Sequence, residues 1–191
     1  FQVVKRYVSP ENFANLKDDL TAYLQGGMQE FALEDKLELN LCKLLDTDRI
    51  KIFREKCNWQ QSIRLAGECL VNCGSIEQRY LDNIIMQLQY YGPYMFLTDS
   101  VLLAHAKPED GVNALDVAIS VFKDPILFSG ERKAKVIIVL AAEDQEKHLT
   151  ILQYILEIVS DEKILESIIE SNTEMEVLRT IKQNLNSERR A

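Results

Sequence analysis

The run "KVIIVLAA", residues 135–142, constrains this chain more than any other stretch. After its leading lysine it is apolar without alternation, which is how a strand reads when both faces of its sheet are covered. In a one-sided sheet, half of those side chains would face water. The run therefore calls for helices above and below it.

The flanking sequence provides them. Helical periodicity appears over residues 28–45, 59–72, 76–90, 146–159, 162–170 and 173–185. Gly74 reads as a stop and Ser75 as the cap of the next helix, while Thr173 and Glu176 form a T-x-x-E capping box. Short strands are expected over 50–53, 101–104, 116–122, 126–128 and 136–140. Strands interspersed with helices for both faces argue an α/β class fold, a three-layer α/β/α sandwich. At the front, Val3, Val4, Tyr7 and Val8 suggest a strand. A helix capped by Ser9 and Pro10 follows, with Phe13, Leu16, Leu20 and Leu24 on one face, and Gly26-Gly27 stops it. This helical N-terminal extension has too little material for a core of its own. The chain starts at Phe1 rather than Met, as a fragment excised from something longer would.

Charge and composition exclude several roles. The chain carries 30 acidic and 22 basic residues, a net charge of −8, and no lysine or arginine block. Nucleic-acid affinity depends on clustered cations that displace counterions, so direct DNA or RNA binding by this segment is not expected. No apolar run approaches about 18 residues, and no charged-then-apolar leader is present. The expectation is a cytoplasmic chain without membrane insertion. Cys42, Cys57, Cys69 and Cys73 lack the spacing of a zinc site and read as buried or half-buried thiols in a reducing compartment.

The chain has two histidines, and both stand at strand exits. His105 ends "VLLAH", just before the polar, Pro- and Gly-bearing segment "AKPEDGV". His148 follows "LAAEDQEK", at the start of the helix after the central strand. If the two strands are parallel neighbours, the imidazoles share one crevice, and strand exits are where ligands of α/β sheets sit. A neutral imidazole is a nucleophile near neutral pH and can carry a phosphoryl group on nitrogen. Helix N-termini supply N–H groups to phosphate oxygens, and Lys107 and Lys147 stand within two residues of a histidine to offset the charge. A metal site is the competing reading, with Glu109, Asp110, Glu143 or Asp144 as carboxylate ligands, although no HExxH-like spacing is present.

These stretches also resemble a known family. "VLLAHAKPEDGV" is similar to the "iAlPHarpeegV" signature of phosphotransferase-system IIA domains of the mannitol/fructose and ascorbate type. "LAAEDQEKHLTILQYILEIVSDEKILESI" resembles the family's second histidine signature, and "RYLDNIIMQLQYYGPY" looks like the ascorbate-type members. The resemblance covers roughly residues 39–185. It implies a mixed sheet, a IIA-like phosphohistidine domain over 39–191, and an extension over 1–38 that resembles the end of a IIB-like domain. It further implies His105 as phosphoryl acceptor and His148 as the neighbour that positions the phosphate or the acceptor ring, with no cofactor and no metal. The implied partners are the histidine phosphocarrier protein, a IIB domain, and other domains of the same regulator. Three positions depart from the pattern: Ala104 replaces the usual proline, Ser100 stands where glycine is common, and "QLQYYGPY" lacks the mannitol-type "RE". Ala104, Lys107 and Lys147 are thus the candidate phosphate-stabilising positions. The expected role is the C-terminal sensor of a sugar-responsive antiterminator or activator. The alternatives are a transport IIA subunit that passes phosphate to a IIB cysteine, and an inactive interaction module.

Overall fold

The computed structural model describes residues 40–187. The expected extension over 1–38, and most of the expected helix over 28–45, lie outside the described residues. That helix does not continue through Asn40, whose backbone is extended and whose side chain accepts from the Cys42 N–H to cap a single turn, α1 (Leu41–Leu44). The elements that follow are β1 (Ile50–Phe53), α2 (Trp59–Asn72), α3 (Gln78–Tyr91), β2 (Val101–Ala104), β3 (Asp116–Leu127), β4 (Lys133–Ala141), α4 (Gln145–Ser160), α5 (Glu162–Glu170) and α6 (Glu174–Ser187). Among the described residues no helix is long and apolar enough to cross a membrane.

The strands form one mixed sheet in the order β1-β3-β4-β2. β1 runs parallel to β3, β2 runs parallel to β4, and β3 and β4 are antiparallel. Side chains alternate between two cores, as a pleated strand requires. Val136, Ile138 and Leu140 face α1, α4 and α6, whereas Ile137, Val139 and Ala141 face α2 and α3. The sheet is covered on both faces, which explains the unbroken apolar run of β4. At roughly 25 cal/mol per Å² of apolar surface removed from water, this two-sided burial is the main stabilising contribution. β2 lies at an edge but is fully buried, because Leu97 N–H donates to Val101 O and Leu103 N–H donates to Met95 O along its open side. That covering removes an unpaired edge.

Two local expectations are corrected. The two strands expected over 116–122 and 126–128 are one, β3, with a register irregularity between Val121 and Ile126. Lys123-Asp124-Pro125 reads locally as a turn, and Pro125 has no N–H for a ladder, yet pairing with β4 resumes beyond it. Within the irregularity, Lys123 Nζ donates to the carbonyls of Ile169 and Ser171 and so ties the end of α5 to the sheet. Ser75 does not cap α3; its hydroxyl donates to Asp116 Oδ2 at 2.6 Å, and α3 begins at Gln78. At α6, Glu176 N–H donates to Thr173 Oγ1 as a capping box requires, and the Glu176 carboxylate accepts from Asn172 N–H.

α2 and α3 pack closely at Gly67. A Cβ there would run into the Leu81 side chain, so glycine is what this crossing accommodates. Cys42, Cys57 and Cys69 are half-buried as expected, but Cys73 is exposed at the end of α2. Burial pushes the Cys57 and Cys69 thiols upward in pKa, which keeps them protonated and unreactive.

Candidate functional site

The register of β2 and β4 places both histidines at one edge of the sheet. Ala104, the last residue of β2, pairs with Val139, two residues before the parallel β4 ends. His105 is the next residue after β2. His148 lies in the first turn of α4, which starts just beyond β4 and packs on the face to which Leu103 also points. Asp144 caps α4 by accepting from Lys147 N–H at 2.8 Å, which sets the first turn over the sheet edge. The two imidazole rings are 5.4 Å apart, centroid to centroid, with planes inclined by 56°.

The environment selects a tautomer for His105. Its Nδ1 lies 3.0 Å from the carbonyl oxygen of Leu103, which can only accept, so Nδ1 carries the proton. Nε2 is left with its lone pair. Burial pushes the His105 pKa below the usual 6.5, partly offset by the Leu103 bond. His148 is pushed down to about 4, first by burial and then by the nearby His105. Both rings are therefore neutral at pH 7, the form in which an imidazole nitrogen can act as a nucleophile.

A tyrosine that sequence reasoning did not single out completes the site. Tyr80 is 1% exposed, and its hydroxyl accepts from Ala106 N–H at 3.0 Å and donates to Leu140 O at 2.7 Å. Burial holds its pKa up at about 12, so it remains a phenol. The available signal was a polar-tipped residue on the otherwise aliphatic stripe of Leu81, Ile84, Ile85 and Leu88. Along the same edge, Arg49 Nε donates to both oxygens of the buried Asp116, which also accepts from Ser75.

The other expected residues separate. Lys107 is exposed, and its N–H donates to Asp110 Oδ2 in the short turn Pro108–Asp110. Lys147 stands beside His148 in the chain, but its ammonium is taken by Glu143 at 2.6 Å and approaches Asp144 at 3.6 Å. Ala104 is fully buried, and its methyl group joins the core beneath α2 and α3, so its side chain offers nothing to a phosphate. Ser100, in the position where the signature has glycine, accepts from Lys135 and Val136 N–H groups. Glu143, Asp144 and Asp110 are thus occupied by local hydrogen bonds and ion pairs. Among the described residues, no three His, Cys, Asp or Glu side chains converge as a metal site would require.

Comparison with known proteins agrees with this architecture. Residues 43–184 match the family model described as "Phosphoenolpyruvate-dependent sugar phosphotransferase system, EIIA 2". The ascorbate-specific PTS system EIIA component of Shigella boydii serotype 4 is 28% identical over 141 residues, 72% of this chain and 92% of that protein. The solution structure of the mannitol-specific cryptic phosphotransferase enzyme IIA CmtB from Escherichia coli superposes with a TM-score of 0.68 at 25% identity, covering 73% of this chain and 95% of that one. The Escherichia coli complex of enzyme IIAMTL with phosphorylated enzyme IIBMTL shares the fold, with a TM-score of 0.64 at 24% identity over 73% of this chain and 97% of that one. With the family model spanning well over half of its length, the chain belongs to the EIIA 2 family of the sugar phosphotransferase system, a family of phosphoryl carriers.

Proposed function

We propose that His105 accepts a phosphoryl group on Nε2 from the histidine phosphocarrier protein, and that His148 orients the acceptor ring and the bound phosphate. The observation that carries this reading is the ring pair, with Nδ1 of His105 occupied by a carbonyl and Nε2 left to attack. The Nε2 lone pair forms a bond to phosphorus as the donor's N–P bond breaks, and the departing electron pair returns to the donor imidazole. Such transfers need alignment and charge compensation more than covalent assistance. The N-terminal turn of α4 lies beside the ring to provide part of that compensation. Lys107 is solvent-exposed two residues along the chain from His105, whereas Lys147 must first leave Glu143.

In this reading residues 39–191 form the carrier domain and residues 1–38 the extension before it. The domain is the phosphorylation sensor of a sugar-responsive antiterminator or activator. The resemblance of residues 1–38 to the end of a IIB-like domain supports that placement. A phosphoryl group adds a charge near −2 to an already acidic domain and would change its docking to the rest of a regulator. The second reading is a transport subunit that hands its phosphate to a IIB cysteine. It is favoured by the ascorbate-specific relative and by the IIA–IIB complex of the mannitol system.

Incubation with phosphoenolpyruvate, the first enzyme of the system and the phosphocarrier, followed by intact-mass measurement, tests the carrier reading. One acid-labile phosphate on the wild type and none on His105→Ala is expected. Phosphate retained by the alanine variant, or none taken by the wild type from partners active on a control, overturns the assignment. Mixing the phosphorylated protein with a IIB domain then separates the two destinations: passage to the IIB cysteine supports the transport subunit.

A further inference from the structure

We infer that Tyr80 is a positioning residue for phosphoryl transfer, its hydroxyl aiming the His105 ring by joining the exits of the two histidine-bearing strands. The inference rests on the reading of His105 as acceptor. The last partner pair between β2 and β4 is Ala104 with Val139. One residue further along β4, the carbonyl of Leu140 receives the Tyr80 hydroxyl, which in turn accepts the N–H of Ala106. The phenol thus extends the β2–β4 seam past the point where backbone pairing stops. His105 lies between the last paired residue and the tethered amide, so its backbone is held from both sides.

The rest of the segment is held by the same stretch of chain. Arg79 Nη1 donates to Glu109 O, Glu77 N–H donates to Gly111 O, and Ile76 bridges Val112. Gly111 adopts φ +127, and a Cβ there would press on Glu77 and Arg79, so the segment lies close against its support. Those bonds lie further along the chain, whereas the Tyr80 bond is at the residue next to His105. Misplacing a reacting group by about 1 Å is enough to cost a transfer on the order of a hundredfold. A bond of this kind is therefore expected to appear in the rate of transfer rather than in partner affinity.

Tyr80→Phe removes the hydroxyl while keeping the ring in the core. Transfer from the phosphocarrier is expected to slow about tenfold in kcat with KM unchanged. Nitrogen NMR of the imidazoles should show His105 and His148 signals moved from their wild-type positions. Ala106→Pro removes the same bond from the donor side while leaving the Tyr80 ring in place, and carries the test if Tyr80→Phe does not stay folded. The double variant should be little slower than the slower single one, because both break the Ala106–Tyr80 bond. Wild-type rates and unmoved ring signals in the single variants, a change confined to KM, or fully additive losses would each overturn the inference. If the wild type itself takes no phosphate, the carrier reading fails, and the ring signals alone decide whether Tyr80 aims the pair.

Discussion

His105 and His148 lie roughly 40 residues apart in the chain, yet their rings stand 5.4 Å from each other because β2 and β4 are parallel neighbours whose C-terminal ends lie at the same end of the sheet. Neither residue's local surroundings require the other. The pairing of Ala104 with Val139, and the start of α4 just beyond β4, bring them together.

His148→Ala leaves the nucleophile and its Leu103 bond in place. It should therefore slow phosphorylation of His105 without abolishing it, by about 10- to 100-fold for the loss of an orienting group. Single-turnover uptake followed by intact mass checks this. A rate equal to wild type would remove His148 from the site.

Stability should fall with acidification between about pH 6.5 and about 4, because His148 is held neutral in the folded protein and pushed down to about 4. The unfolded chain binds a proton in that window and the folded chain does not, so lowering the pH favours unfolding. His105, also depressed, acts in the same direction. Urea denaturation at pH 7 and pH 4.5 measures the difference. His148→Gln should shrink it, and an equal slope in both proteins would sink the idea.

Asp116 is 6% exposed at its side chain and receives both Arg49 Nε and the Ser75 hydroxyl. Asp116→Ala leaves the Arg49 guanidinium, 22% exposed, without its partner at the sheet edge. A loss of about 3 kcal/mol in unfolding free energy is expected. Chemical denaturation reads it directly, and a change under about 0.5 kcal/mol would show that water replaces the carboxylate at no cost.

Ser120 points into the core beneath α2 and is fully buried, and its hydroxyl has no hydrogen-bond partner among the described residues. Removing that oxygen removes a desolvated polar group, so Ser120→Ala should be neutral or stabilise by about 1 kcal/mol. A clear loss in the melting temperature would indicate a partner for the hydroxyl in solution, such as a buried water.

Much of the architecture was legible because the pattern of apolar residues is set by the neighbours each face must meet. The unbroken run of β4 dictated a sheet covered on both sides, and α5 fell on residues 162–170 as its periodicity indicated. The exits of β2 and β4 located both histidines. What the sequence could not determine was which strands are neighbours, because local propensity sets a period but not a partner. Pairing is decided by distant side chains that fill two cores at once. That non-local packing kept β3 paired with β4 beyond Pro125, against its turn-like residues, and drew Ser75 from helix capping to Asp116. It also brought the Tyr80 hydroxyl to the seam beside His105. The sequence by itself determined the layers and offered His105 as the candidate nucleophile. The tertiary structure decided what stands beside that nucleophile, because a hydrogen bond or a ring contact depends on three-dimensional distance, which the spacing of residues along a chain does not contain.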